Sequence, residues 1–212
     1  MRTDYISNNG LFITLEGIEG SGKTTLAAFL AEYITAQGYK VILTAEPGGS
    51  AVGQQIRSIL LHTTEQISHK SELLLFEADR AQHVDTVIRP ALAEKSVIIC
   101  DRYTDSTLAY QGYARGINVE EVRQLNSYAT SGLEPDITIL LDLPAEAGLA
   151  RQRKIDRISS EDLAFHNAVR TGFLTIAKAN PDRIVIIDAT QQQQTVQSQA
   201  QQAIRSLLER RC

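Results

Sequence analysis

Apolar residues along the chain gather into five short runs: Leu11 to Leu15, Val41 to Thr44, Val97 to Cys100, Ile137 to Leu141 and Ile184 to Ile187. Most are apolar at nearly every position, as strands covered on both faces are. Between them apolar positions recur at helical spacing, which predicts helices near Lys23 to Gln37, Val52 to Leu61, Glu72 to Arg89, Val119 to Ser131, Glu161 to Ala179 and Thr195 to Arg210. Strands and helices alternating in this way predict an α/β fold, a parallel sheet with helices on both faces. Pro90 is expected to end or kink the third helix. The glutamine-rich tract from Gln191 to Gln202 carries Val196, Ala200, Ala203 and Leu207 at helical spacing, so it reads as the solvated face of a terminal helix, with a disordered tail as the alternative. No solenoid repeat and no linker divides the 212 residues, which points to a single domain.

Composition narrows this little, because 43% apolar and 22% charged residues describe an ordinary globular chain. No apolar run has the length of a membrane span, and Met1 to Gly10 lacks the apolar core of a signal peptide, so a cytoplasmic protein without a membrane partner is expected. Cys100 and Cys212 form neither a metal nor a disulfide framework. A net charge of -4 argues against a nucleic-acid partner, which calls for a basic face. Any bound anion must therefore be met by a local cluster of positive groups.

Such a cluster begins at Gly17-Ile18-Glu19-Gly20-Ser21-Gly22-Lys23-Thr24, which satisfies the G-x-x-x-x-G-K-[ST] pattern between an apolar run and a helical one and is followed by Thr25. Glycines let backbone N–H groups wrap a phosphate at the positive end of a helix. Lys23 then reaches β and γ oxygens, and the Thr24 hydroxyl serves Mg²⁺. A second Mg²⁺ partner should be a carboxylate ending a neighbouring strand. Asp101 is preferred because Arg102 follows it, while Asp142 is similarly placed and otherwise reads as a loop carboxylate or helix cap.

Two further segments bear on a second ligand. Glu46-Pro47-Gly48-Gly49-Ser50 follows the second strand, where open α/β sheets bind ligands, although Pro-Gly-Gly is also an ordinary turn. Phe76 and Arg80 share a helix face, with His83 a turn along. A ring and a guanidinium so placed can stack on a base and bond its edge; core packing also explains Phe76, but Arg80 is costly to bury in the same stripe.

Taken together, Gly17 to Thr25, Glu46 to Gly49, Phe76 to Arg80, Asp101-Arg102-Tyr103, Ser106 with Leu108 to Gly112, and Leu141-Asp142 resemble bacterial thymidylate kinase, a family of P-loop nucleoside monophosphate kinases, from about residue 10 to the end. The resemblance implies a five-stranded parallel sheet, a short lid at about 151–161, a homodimer, and phosphoryl transfer from ATP and Mg²⁺ to dTMP, giving dTDP and ADP. It places Phe76 on the thymine ring and Arg80 at its edge, Arg57 and Arg102 on the acceptor phosphate, and Glu19 near the sugar 3′-hydroxyl. Ser106 and Gln111 fall beside the base, and Tyr110 falls where a ribose 2′-hydroxyl would go.

The pattern departs at Ala45, where many relatives have arginine, at Ser159, which replaces a lid glutamate, and at Phe173, which replaces tyrosine. The loop between Gly17 and Gly22 holds no arginine, so the lid must supply the cation that meets charge on the transferred group. Arg153 is the first candidate, then Arg157, then Arg151; Arg153 and Arg157 share a face if the helix runs through them. The alternative is solvated charge beside Asp156 and Glu161. The rival functions are another kinase of this fold, acting on dCMP, UMP or a deoxynucleoside, and a nucleotide-dependent switch. The chain has no Asn-Lys-x-Asp guanine-reading motif.

Overall fold

The computed structural model describes residues 10–152 and 156–210. Five parallel strands, β1 (Leu11–Glu16), β2 (Val41–Ala45), β3 (Val97–Asp101), β4 (Ile137–Asp142) and β5 (Ile184–Asp188), lie in the order β2-β3-β1-β4-β5. Each expected strand is present and runs one residue further, and in four of the five the added residue is Glu16, Asp101, Asp142 or Asp188. The carboxyl ends of the strands therefore line one rim with acids.

Side-chain alternation sorts the core onto two faces. Leu11, Ile13 and Leu15 of β1 and Val97 and Ile99 of β3 enter the larger cluster, while Phe12, Ile98 and Cys100 enter the smaller one with Tyr103, whose ring meets Phe12 edge-on at 4.9 Å. The interior strands are buried along their length; β2 and β5 are edge strands, with Leu43 and Ile186 about half exposed. Apolar identity alone had predicted cover on both faces for these two as well.

The helices are α1 (Lys23–Thr35), α2 (Ala51–His62), α3 (His69–His83), α4 (Arg89–Ala93), α5 (Thr104–Thr107), α6 (Val119–Thr130), α7 (Ala145–Arg151), α8 (Leu163–Ala179) and α9 (Gln193–Glu209). Side-chain oxygens of Ser50, Ser68, Asn118 and Asp162 cap α2, α3, α6 and α8. Pro90 neither ends nor breaks the third helix at the expected place. A π-helical turn, Val84–Ile88, joins α3 to α4, and Arg89 N–H bonds back to Val84 O. The wider turn shifts the hydrogen-bond register where proline has no N–H to give, so the helix passes through Pro90.

Two helical segments lay outside the sequence expectations: α7, and α5 with the π-helical Leu108–Ala114 that follows it. In the latter, Leu108, Ala109, Tyr110, Gln111 and Gly112 are consecutive and all buried, so no amphipathic period marks them. The glutamine-rich tract is helical in α9, with Ala200, Ile204 and Leu208 inward. No described helix is long and apolar enough to cross a membrane.

Candidate active site

β1 delivers its chain into the glycine-rich loop, and the N-terminus of α1 receives it. Gly20 and Gly148 of α7 touch so closely that a Cβ on Gly20 would lie 2.1 Å from the Gly148 carbonyl oxygen, and one on Gly148 would lie 2.4 Å from Glu19 O. Lys23 Nζ donates to the loop carbonyls of Gly17 at 3.0 Å and Ile18 at 2.9 Å. Burial, with Arg102 nearby, pulls its pKa down to about 8. Thr24 Oγ1 donates to Asp101 Oδ2 at 3.1 Å, so the two residues chosen for Mg²⁺ stand together at the rim. Asp142 is committed elsewhere, in a two-pronged pair with Arg170 at 2.7 and 2.9 Å. Thr25 faces solvent. No group of three or more potential His, Cys, Asp or Glu ligands exists among the described residues. Two neighbouring hard oxygens without a full protein cage suit Mg²⁺, which is usually shared with substrate phosphates.

Lys23, Thr24 and Asp101 open onto a cavity of about 820 Å³ whose other walls include Arg57, Phe76, Arg80, Arg102, Ser106, Tyr110 and Gln111. Residues from widely separated segments therefore converge on one cleft at the carboxyl ends of the strands.

Arg102 turns into this cleft from a left-handed backbone, φ 73°, a cost that a non-glycine residue bears only where its surroundings hold it. Its N–H bonds to Leu15 O, NH1 donates to Gly17 O at 3.0 Å, NH2 donates to Glu19 Oε1 at 2.9 Å, and the guanidinium lies 5.1 Å from the Tyr110 ring centroid. Tyr110 OH also donates to Glu19 Oε1, at 2.6 Å. Burial would raise the Glu19 carboxyl, but Arg102, joined by His166, Lys23 and Tyr110, outweighs it and holds the group well below the usual carboxylate range.

Glu46 and Arg80 form the wall beyond β2. Arg80 Nε donates to Glu46 Oε2, its NH1 reaches Glu77, Thr107 and Asn126, and its NH2 reaches Tyr103 O, all within 2.7–3.1 Å. Those contacts leave one NH2 hydrogen without an acceptor among the described residues, and Arg80 is one of the residues that line the cavity. Glu46 Oε1 meets His83 Nδ1 at 2.9 Å, and His83 Nε2 meets Thr44 Oγ1 at 2.7 Å. Gly49 is required here, since a Cβ would lie 2.3 Å from His83 Nε2. Arg57 NH1 donates to Pro47 O at 2.7 Å.

The lid differs from its expectation. α7 ends at Arg151, and residues 156–160 form a turn, so no helix carries Arg157 in register with its neighbours. Arg153 lies outside the described residues. Arg157 donates from Nε to Leu60 O and from NH1 to Glu72 Oε2, both at 2.7 Å, and is not brought to the glycine-rich loop. Its NH2 is buried without a partner among the described residues. Arg151 NH1 bonds Ala189 O at 3.2 Å. Ser159, in place of a glutamate, closes the turn by accepting Asp156 N–H at 2.7 Å. Phe173 packs edge-on against Tyr110.

Sequence reasoning missed Glu16, Glu72 and His166. Glu16 Oε1 accepts Tyr103 N–H and Ser106 N–H, and Oε2 accepts Ser106 Oγ–H at 2.6 Å. Burial, then Asp105, raises its pKa to about 7 against the pull of Ser106, Arg102 and Tyr103. The signal that picked Asp101, an acid ending an apolar strand, was equally present at Glu16. Glu72 lies in the first turn of α3, and nothing in the sequence marks it or His166 as a site residue.

The sequence profile described as Thymidylate kinase matches residues 15–200. A thymidylate kinase of Desulfovibrio desulfuricans is 49% identical over 212 residues, covering 95% of this chain and 98% of that protein. One from a Synechococcus strain is 56% identical over 179 residues, covering 84% of this chain and 87% of that protein. The crystal structure of thymidylate kinase from Ehrlichia chaffeensis superposes with a TM-score of 0.77 at 37% identity, covering 92% of this chain and 98% of that one.

Proposed function

The chain belongs to the thymidylate kinase family, and we propose that its cleft seats ATP at the glycine-rich loop and dTMP toward Phe76, so that the γ-phosphoryl group moves to the dTMP phosphate and leaves dTDP and ADP. Lys23 and Gln111 open onto one cavity, and that continuity carries the assignment of two ends to two nucleotides. The reaction asks the protein mainly for alignment and for positive charge on the transferred group.

At the donor end the loop N–H groups and the positive end of α1 hold phosphate, with Lys23 on the β and γ oxygens. Thr24 and Asp101 would hold Mg²⁺, which neutralises phosphate charge when bound. At the acceptor end Arg57 and Arg102 take the phosphate. Phe76 stacks on the base, and the open side of Arg80 and the Gln111 amide meet its edge. Glu19 and Tyr110, bonded to each other, face the sugar, where a carboxylate accepts from the 3′-hydroxyl and the phenol ring leaves little room for a 2′-hydroxyl. Ser106 fixes the floor through Glu16. The cation for the transferred group comes from the lid, from Arg153 first and from Arg157 if it leaves Glu72. Reduced, buried Cys100 fits a cytoplasmic enzyme, and exposed Val52 and Ile59 on α2 with Leu74 on α3 offer an apolar face for a homodimer.

Measuring ADP formation with ATP, Mg²⁺ and a panel of acceptors tests the substrate. dTMP should be phosphorylated faster than dCMP, dGMP, AMP or ribothymidine monophosphate at equal concentration, and any of these outrunning dTMP severalfold overturns the reading.

A further inference from the structure

Glu72 is fully buried in the first turn of α3 and does not line the cleft, yet one of its bonds reaches the cleft wall. Oε1 accepts from Gln111 Nε2 at 2.9 Å and from Arg115 Nε at 3.1 Å, while Oε2 accepts from Arg115 NH2 at 3.3 Å and from Arg157 NH1 at 2.7 Å. Burial would raise this carboxyl, but Gln111, Arg115 and Arg157 outweigh it and keep it ionised.

An ionised carboxylate has no proton to donate, so it decides a question that a glutamine leaves open. The oxygen and nitrogen of a side-chain amide have nearly the same shape and trade places by a half-turn. Against Glu72 only the nitrogen fits. Gln111 Oε1, which bonds no described residue, is then the atom left for the cavity that Gln111 lines, with the second Nε2 hydrogen beside it.

We propose that Glu72 is a specificity-determining positioning residue: by locking the Gln111 amide with its oxygen toward the cleft, it selects bases that present a ring N–H flanked by a carbonyl. This rests on the placement of the base proposed above. Thymine and uracil carry that N–H at N3, where it donates to Oε1, and a flanking carbonyl accepts the remaining Nε2 hydrogen. Cytosine carries a bare N3, which sets one acceptor against another and leaves both without a donor, the arrangement that makes a hydrogen-bonding pocket discriminate strongly. The lock does not read the 5-methyl group, so it separates the imide bases from cytosine and not thymine from uracil.

Glu72→Gln tests the lock. Oε2 meets two guanidinium donors, Arg115 NH2 and Arg157 NH1, while Oε1 meets one, Arg115 Nε, so the single oxygen of the new amide settles at the Oε2 position and its nitrogen meets Gln111, which must turn over. The ratio of kcat/KM for dTMP to that for dCMP should fall by about tenfold or more, in line with the discrimination that a two-bond base contact provides. Arg157→Gln, which disturbs the same network and leaves the carboxylate on Gln111, should lower turnover without moving the ratio. A Glu72→Gln ratio within threefold of wild type overturns the proposal, as does an equal fall in Arg157→Gln. If the charge imbalance prevents Glu72→Gln from folding, the double variant Glu72→Gln/Arg157→Gln removes a cation with the carboxylate and carries the same expectation. A wild-type enzyme that shows no preference for dTMP over dCMP refutes the placement of the base itself, which is a different result from a preference that survives loss of Glu72.

Discussion

Arg80 Nε and Glu46 Oε2 lie 2.8 Å apart with both side chains only 2% exposed, and this pair fastens α3 to the chain leaving β2. Arg80 thus has a structural task besides the one proposed for it at the base edge. Removing one member of a buried pair strands the other, at a cost of about 3–5 kcal/mol. Glu46→Ala, which also deprives His83 of its Nδ1 partner, should lose stability in that range by urea unfolding. Arg80→Lys should lower both stability and kcat/KM for dTMP, since one ammonium cannot replace a planar fork with contacts to five residues. A lysine variant that loses activity at unchanged stability would assign Arg80 to the substrate alone.

Lys23 is expected to act on phosphate charge and not on dTMP. Lys23→Ala should lose turnover by orders of magnitude while equilibrium dTMP binding survives. Near-normal turnover in the folded variant would remove the donor site from this loop.

Glu16 makes stability depend on pH with a known sign. Its folded pKa of about 7 exceeds the unfolded value near 4.5, so between those values the folded protein holds a proton that the unfolded chain has released. Stability from this group is present in full below about pH 4.5 and is lost as pH rises through 7. The loss should be on the order of 3 kcal/mol. Burial also raises Asp79, to about 6, so the difference between the wild-type and Glu16→Gln curves is the quantity to follow by thermal or urea unfolding.

Arginine substitutions separate lid chemistry from lid structure. Arg153→Ala should lose kcat by about a thousandfold with ATP affinity nearly unchanged. Arg157→Ala should do likewise if Arg157 swings to the phosphates, and should instead mainly loosen the Glu72 contact if it stays where it lies. Variants of Arg151, Arg153 and Arg157 that all remain within a few-fold of wild type would end the lid-arginine mechanism.

The parts of this molecule legible in its sequence are those whose physics is local. The glycine-rich loop is contiguous, and interior strands are apolar on both faces, so both could be read residue by residue. Sheet order is not local, and nothing in Val41 to Thr44 announced an edge strand with Leu43 half exposed. Pro90 followed a sound rule that a π-helical turn overrode. The site divides in the same way. Lys23 and Thr24 stand in their motif, whereas Glu16 acts on Tyr103 across 87 residues and Glu72 on Gln111 across 39, and only folding brings such pairs together.

The bonds that Glu16 makes also bear on motion. Glu16 closes the strand that feeds the glycine-rich loop, and it grips Tyr103 and Ser106, while Arg102 reaches back to Gly17 and Glu19. The proposed donor and acceptor ends thus share one hydrogen-bonded floor. In the function proposed above, the relative placement of the two phosphates is then set by side chains already bonded to one another across the strand ends, so the track along which the phosphoryl group travels is laid down by the fold before either substrate arrives.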